Sequence, residues 1–149
     1  MRSLQCRVTA IAIVLGACLA GCESYDVTVN ERLVYTPTPL FRDYTIEDAA
    51  LSDCVEQAIL DGKVTAAEQL STLNCSYSTI SNLAGLATFS GLVRLKLSSN
   101  DIRNLIELQA LQALRELYLD DNVIIDPVPL YSLAALRALN LDGNSKLQC

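Results

Sequence analysis

Four segments of the 149-residue chain repeat one pattern at a fixed interval, and that interval limits the fold more than any other feature. Leu70-x-x-Leu73-x-Cys75-x-x-Ser78-x-Ile80 returns as Leu92-x-x-Leu95-x-Leu97-x-x-Asn100-x-Ile102 and as Leu114-x-x-Leu117-x-Leu119-x-x-Asn122-x-Ile124. Leu136-x-x-Leu139-x-Leu141-x-x-Asn144 closes the series, and each start falls 22 residues after the last. A unit this short cannot bury its own apolar face, so the units must stack and share one core. Between the leucine segments apolar residues recur at every third place: Ile80, Leu83, Leu86, Phe89; Ile102, Leu105, Leu108, Leu111; Ile124, Pro127, Leu130, Leu133. That spacing suits 3-10 turns, which hold three residues per turn, better than α-helices. The chain is 51% apolar with 5% aromatics and neither Trp nor His, so Leu, Ala, Ile and Val must fill the core.

This pattern resembles the 22-residue, internalin-like class of leucine-rich repeats from about Leu70 to the last residue. The resemblance implies an α/β solenoid: a parallel concave sheet, a convex side rich in 3-10 turns, and an N-terminal helical cap. Leu at the first, fourth and sixth places should point inward. Asn at the ninth should turn its amide to backbone groups left unpaired by the bend, forming a ladder of Asn100, Asn122 and Asn144. Ser78 departs from the Asn consensus, and Leu147 falls one place late.

Ahead of the repeats, Leu51, Cys54, Val55, Ala58 and Ile59 lie on one face of a predicted helix of about four turns, with Gly62 as its stop signal. Thr65-Ala66-Ala67-Glu68 has the form of a capping box for a second, very short helix. The helix with Cys54, followed by Cys75 in the first repeat, further resembles the N-terminal cap of secreted bacterial repeat proteins. A Cys54–Cys75 disulfide is therefore expected, since Cys75 fills an inward Leu slot that the cap should cover. It would close a loop of about 20 residues, contributing on the order of 3 kcal/mol in the chain-entropy model. Cys149 lies some three repeats from Cys75, about 14 Å at the strand spacing, beyond disulfide reach.

The first residues read as an export signal: Arg2 and Arg7, an apolar run from Val8 through Leu19, then small residues. The run is too short to span a bilayer as a helix. Leu19-Ala20-Gly21-Cys22 resembles the lipobox of bacterial lipoprotein signal peptides, which implies a lipid on Cys22. Glu23, rather than Asp, after the Cys implies an outer-membrane address where the host has one. The expected division is a signal peptide at 1–21, a lipidated tether at 22–44, a cap at 45–69 and repeats at 70–149. Tyr25, Val27 and Val29 alternate, so a short strand within the tether is the competing expectation. Losing Arg2 and Arg7 takes the net charge from −6 to −8. An acidic chain without a basic stripe is a poor match for nucleic acid.

Without His, imidazole-based triads and general bases are excluded. Neither a cofactor motif nor a metal-ligand set is present, and no catalytic residues are assigned. The outward strand positions supply a ligand-binding face of Arg94, Lys96, Glu116, Tyr118, Asp120, Asn140 and Asp142, with Thr72, Asn74, Ser76, Ser98 and Ala138 in the same rows. Exposed Tyr is enriched in binding hot spots, which singles out Tyr118. Asp120 and Asp142 share a slot on adjacent strands, a spacing that also suits a paired-carboxylate glycosidase or a weak calcium site. The leading expectation is a non-enzymatic, lipid-anchored envelope protein that binds a protein or glycan on this face. The alternative is a structural envelope subunit whose partner covers the last repeat, including a homodimer through that repeat or Cys149. A truncated relative of a longer protein is a further option.

Overall fold

The computed structural model describes Val27–Val29, Arg32–Tyr35 and residues 39–148; Cys22, the export segment and Cys149 lie outside the described residues. The chain divides into two units, one ending at Pro39 and one beginning at Leu40. In the first, β1 (Val27–Val29) pairs antiparallel with β2 (Arg32–Tyr35), Val29 opposite Arg32 and Val27 opposite Tyr35. The segment expected to be a bare tether thus contains a hairpin, and the Val27/Val29 alternation is its signal.

The second unit begins five residues before the expected boundary at Thr45. Leu40, Phe41, Tyr44 and Ile46 pack partly buried against the core, and the Phe41 N–H donates to the Val64 carbonyl at 2.9 Å. Phe41, Tyr44 and Phe89 form an aromatic cluster with centroids 5.3–6.0 Å apart. Such an irregular segment has no period for sequence reading to detect.

Helix α1 (Ala49–Gly62) buries Leu51, Val55 and Ile59, one residue per turn along a single face. Asp48 caps it: Oδ1 accepts from the Leu51 N–H at 3.1 Å. At the other end Lys63, not Gly62, takes the left-handed conformation (φ 50°), and its N–H returns to the Ile59 and Leu60 carbonyls. Gly62 serves a different purpose. A Cβ there would stand 3.2 Å from the Val64 side chain, which is buried. The expected Thr65–Glu68 box is also displaced by one residue. A single 3-10 turn (Ala67–Gln69) forms, and Gln69 Oε1 accepts from both the Thr65 N–H (2.9 Å) and the Thr65 hydroxyl (3.1 Å).

A disulfide and a set of side-chain hydrogen bonds tie this cap to the first repeat. Cys54 and Cys75 are joined by a disulfide, their Cα atoms 5.9 Å apart. The second oxygen of Asp48 accepts from the Ser81 N–H (2.9 Å), the Ser81 hydroxyl (3.2 Å) and the Asn82 N–H (3.1 Å). Burial pushes the Asp48 carboxyl up, but the N–H groups of Ser81, Leu51 and Asn82 and the Ser81 hydroxyl outweigh it, so the net direction is downward. A carboxyl depressed in the folded state stabilises above its unfolded value of about 3.9 and loses that contribution as pH falls through the lower folded value. Asp48→Asn keeps an oxygen for the helix start but turns an NH2 toward the donors on Ser81 and Asn82, so its deficit measures the charge together with those acceptor bonds. That deficit should be present near neutral pH and close as pH drops below about 4, measured by urea unfolding. A deficit that stays constant into acid would show that the charge contributes nothing.

In the repeats, β3 (Thr72–Asn74), β4 (Arg94–Lys96), β5 (Glu116–Tyr118) and β6 (Ala138–Asn140) form a parallel sheet in that order. Each residue pairs with the one 22 positions on, so the period of the sequence is the register of the sheet. Leu73, Leu95 and Leu117 are buried between the sheet and the 3-10 turns at Leu86–Thr88, Ile106–Ala110 and Val128–Ser132. Each fully buried Leu contributes roughly 1.5–3 kcal/mol, an upper bound that a uniform stack repeats unit by unit. The exception is Leu139 of β6, 45% exposed in the slot where Leu95 and Leu117 are fully covered. The asparagines at the ninth place are buried, Oδ1 reaching back to the preceding repeat and Nδ2 donating to carbonyls of its own repeat and the preceding one.

Candidate functional site

Because the register is constant, outward residues line up in rows across the strands. The central row is Asn74, Lys96, Tyr118 and Asn140. It forms the floor of a hollow of about 470 Å³ whose remaining lining is Ser76, Tyr77, Ser98 and Asp120. Four residues expected from sequence therefore meet here: Lys96, Tyr118, Asp120 and Asn140. Arg94 and Glu116 sit on the same sheet and Asp142 in the turn after β6, and none of the three lines the hollow.

Lys96 Nζ lies 5.3 Å from the centroid of the Tyr118 ring, a cation–π contact that draws the ammonium along the row toward β5. Arg94 grips Glu116 through two parallel bonds, Nε to Oε2 at 2.6 Å and Nη2 to Oε1 at 2.7 Å. Hydrogen bonding to Glu116 raises the Arg94 pKa, and the same bond lowers that of Glu116. Both side chains are solvated, so the pair adds little stability. Its consequence is positional: the Tyr118 hydroxyl donates to Glu116 Oε2 at 3.4 Å, which steadies the ring. On the other side, the Ser98 hydroxyl donates to Asp120 Oδ1 at 2.7 Å. Asp120 and Asp142 do not gather with a third ligand; among the described residues no group of three His, Cys, Asp or Glu is arranged to hold a metal ion.

Tyr77 is the residue that strand alternation missed. It has a φ of 60° and an 83% exposed ring, and the residues one repeat apart in its slot, Ser99, Asp121 and Gly143, also have positive φ. The chain turns here through the left-handed region, which an inward/outward count cannot anticipate. Gly143 in that slot is the available clue, since Gly enters this region without steric cost. A bulky aromatic held there costs of order 1 kcal/mol, and such outliers cluster at binding sites.

No protein-family model matches the chain, nor does any curated protein sequence. Among solved structures it is similar to internalin C2 of Listeria monocytogenes, with 21% identity, a TM-score of 0.62, and coverage of 68% of this chain and 47% of the internalin. The fold is a leucine-rich-repeat solenoid. The chain is also similar to internalin F of the same organism, with 25% identity over 68% of this chain and 38% of that one and a TM-score of 0.49. It thus spans less than half the length of either internalin. Within the solenoid, the hollow combines an aromatic floor, an ammonium and amide groups on a rigid sheet, a composition suited to recognition.

Proposed function

We propose that this solenoid is a non-enzymatic interaction module that holds a protein partner on its concave face, displayed at the bacterial cell envelope by a lipid on Cys22. The observation that carries the reading is the row Lys96–Tyr118 at the floor of an open hollow, set on strands whose inner faces are packed with leucine. Tyr is among the residue types that dominate binding energy, and the Lys96 ammonium beside it has no carboxylate within ion-pair distance among the described residues. Of the carboxylates beside the row, Glu116 bonds Arg94 through both oxygens and Asp120 bonds the Ser98 hydroxyl through Oδ1.

The test is a photoreactive phenylalanine derivative placed at position 118 of the full chain in host cells, with one at position 131 on the opposite side as control. Position 118 should yield a discrete adduct that disappears in Lys96→Glu, while position 131 should not. Equal adducts from both positions would remove the concave face from consideration.

A second reading rests on Leu139. Strand β6 ends the described sheet with that side chain 45% exposed, which suits a structural subunit whose partner, a second copy of this chain, lies against β6. The photoreactive group at position 137 distinguishes it, because a homodimer adduct from that edge should survive Lys96→Glu.

A further inference from the structure

We infer that Tyr77 is a recognition residue, a side chain placed for contact with the protein partner and not for the fold, so that the partner's footprint reaches over the turn that follows β3; the inference rests on the interaction reading above. The repeat itself sets the backbone of that turn. Tyr77, Ser99, Asp121 and Gly143 stand 22 residues apart in one slot, all with positive φ. In the first three the N–H donates to a carbonyl of the next repeat: Ser98 at 3.0 Å, Asp120 at 2.8 Å and Asp142 at 2.8 Å. Beside Tyr77, the Ser78 N–H donates to Asn100 Oδ1 at 3.0 Å and the Ser78 hydroxyl to the Ser76 carbonyl at 3.2 Å. None of these bonds uses the side chain at position 77, so any residue there meets the same left-handed backbone.

For that backbone tyrosine is a poor choice. Gly enters the left-handed region without steric cost and Asp is among the residues that tolerate it, whereas a bulky ring there is an outlier. The ring gains nothing from the fold in return: it is 83% exposed, and no hydrogen bond, ion pair or ring contact engages it among the described residues. Exposure by itself does not single it out, since Tyr131 is 78% exposed, but Tyr131 lies in the 3-10 turn Val128–Ser132 without a positive φ. Among the described residues Tyr77 alone combines an unengaged aromatic ring, a left-handed backbone and a place in the lining of the hollow. Strain that folding does not reward points to use in contact, and Tyr is the residue type that contact rewards.

The experiment has two arms, both on the full chain. In detergent, thermal unfolding compares wild type with Tyr77→Asn, a residue that suits the left-handed region. The variant should melt at the same temperature or up to about 5 °C higher, because strain is relieved and no packing is lost. In host cells, the photoreactive group at position 77 should give the same partner adduct as at position 118, while position 72, at the start of β3, should give none. Tyr77→Asn should lower the yield from position 118 about tenfold, the loss expected of a binding hot spot. A variant that melts lower than wild type shows that the ring serves the fold and overturns the inference. An undiminished yield from position 118, or no adduct from position 77, overturns it as well, and an adduct from position 72 as strong as that from 77 overturns the footprint. If position 118 of the wild type gives its adduct while these arms fail, the interaction reading stands without Tyr77; if position 118 gives none, both fall.

Discussion

Gly91→Ala is expected to push the end of the cap away from the first repeat, to which the disulfide still holds it, and lower stability by about 3 kcal/mol or more, a fall in Tm of roughly 10–20 °C for a unit of this size. A Cβ at position 91 would stand 2.0 Å from the Glu68 carbonyl oxygen, 2.6 Å from its carbon and 2.8 Å from the Glu68 Cα. All three are backbone atoms, so no side chain can rotate away. Ala itself is well tolerated at this place in a repeat, since Ala113 and Ala135 occupy the same slot 22 and 44 residues later. The difference is the neighbour: behind Gly91 lies the cap. Thermal unfolding followed by circular dichroism is the check. A variant that melts with the wild type would mean that the close approach of Gly91 to Glu68 is not required. The companion Ala113→Gly should cost no more than about 1 kcal/mol, from chain entropy alone.

Asn122→Ala should cost about 3–4 kcal/mol without altering what the folded protein binds. Asn122 is buried at 6% exposure; its Oδ1 accepts from the Ile102 N–H at 3.0 Å, and its Nδ2 donates to the carbonyls of Leu97 (2.9 Å), Leu119 (3.0 Å) and Asp120 (3.2 Å). Alanine removes both partners' answer at once and leaves a buried N–H and carbonyls short of a bond, each costing about 1–3 kcal/mol before relaxation. Asn122→Asp should be no better, because it keeps an acceptor for Ile102 but turns a carboxylate toward three carbonyls. Hydrogen exchange should show the loss of protection centred on the Ile102 amide. The contrast with Lys96→Gln is diagnostic: that half-buried change on the outer face should cost no more than about 1 kcal/mol, the size of the cation–π contact it removes. An Asn122→Ala protein as stable as wild type would show that water substitutes fully for the amide.

The ladder and the hollow also explain why the two kinds of residue separate so cleanly in this fold. Asn100, Asn122 and Asn144 sit at the turn where the backbone leaves the strand, so their bonds run inward and along the stack. Lys96 and Tyr118 project from the strands' other face, where neighbouring repeats place unlike residues side by side. Substitution in the first set tests folding; substitution in the second tests recognition.

What the sequence determined by itself was everything that repeats. The 22-residue interval sets the register of β3 to β6, the leucine slots set the buried face, and the three-residue spacing sets the 3-10 turns, because each is a local pattern that neighbouring units copy from one another. It also placed Lys96, Tyr118, Asp120 and Asn140 on the exposed side by alternation. Tertiary structure decided what does not repeat. Gly85 and Gly91 are required because Thr45 and Glu68 of the cap approach them, contacts that no periodicity encodes. Phe41 and Tyr44 join the core from a segment without a pattern, and Asp48 reaches 33 residues along the chain to Ser81. Tyr77 enters the hollow because the chain turns through the left-handed region at a place where alternation ends. Periodic contacts are short-range and are written in every unit, whereas the junction between cap and stack occurs once and is specified only by the shapes that meet there.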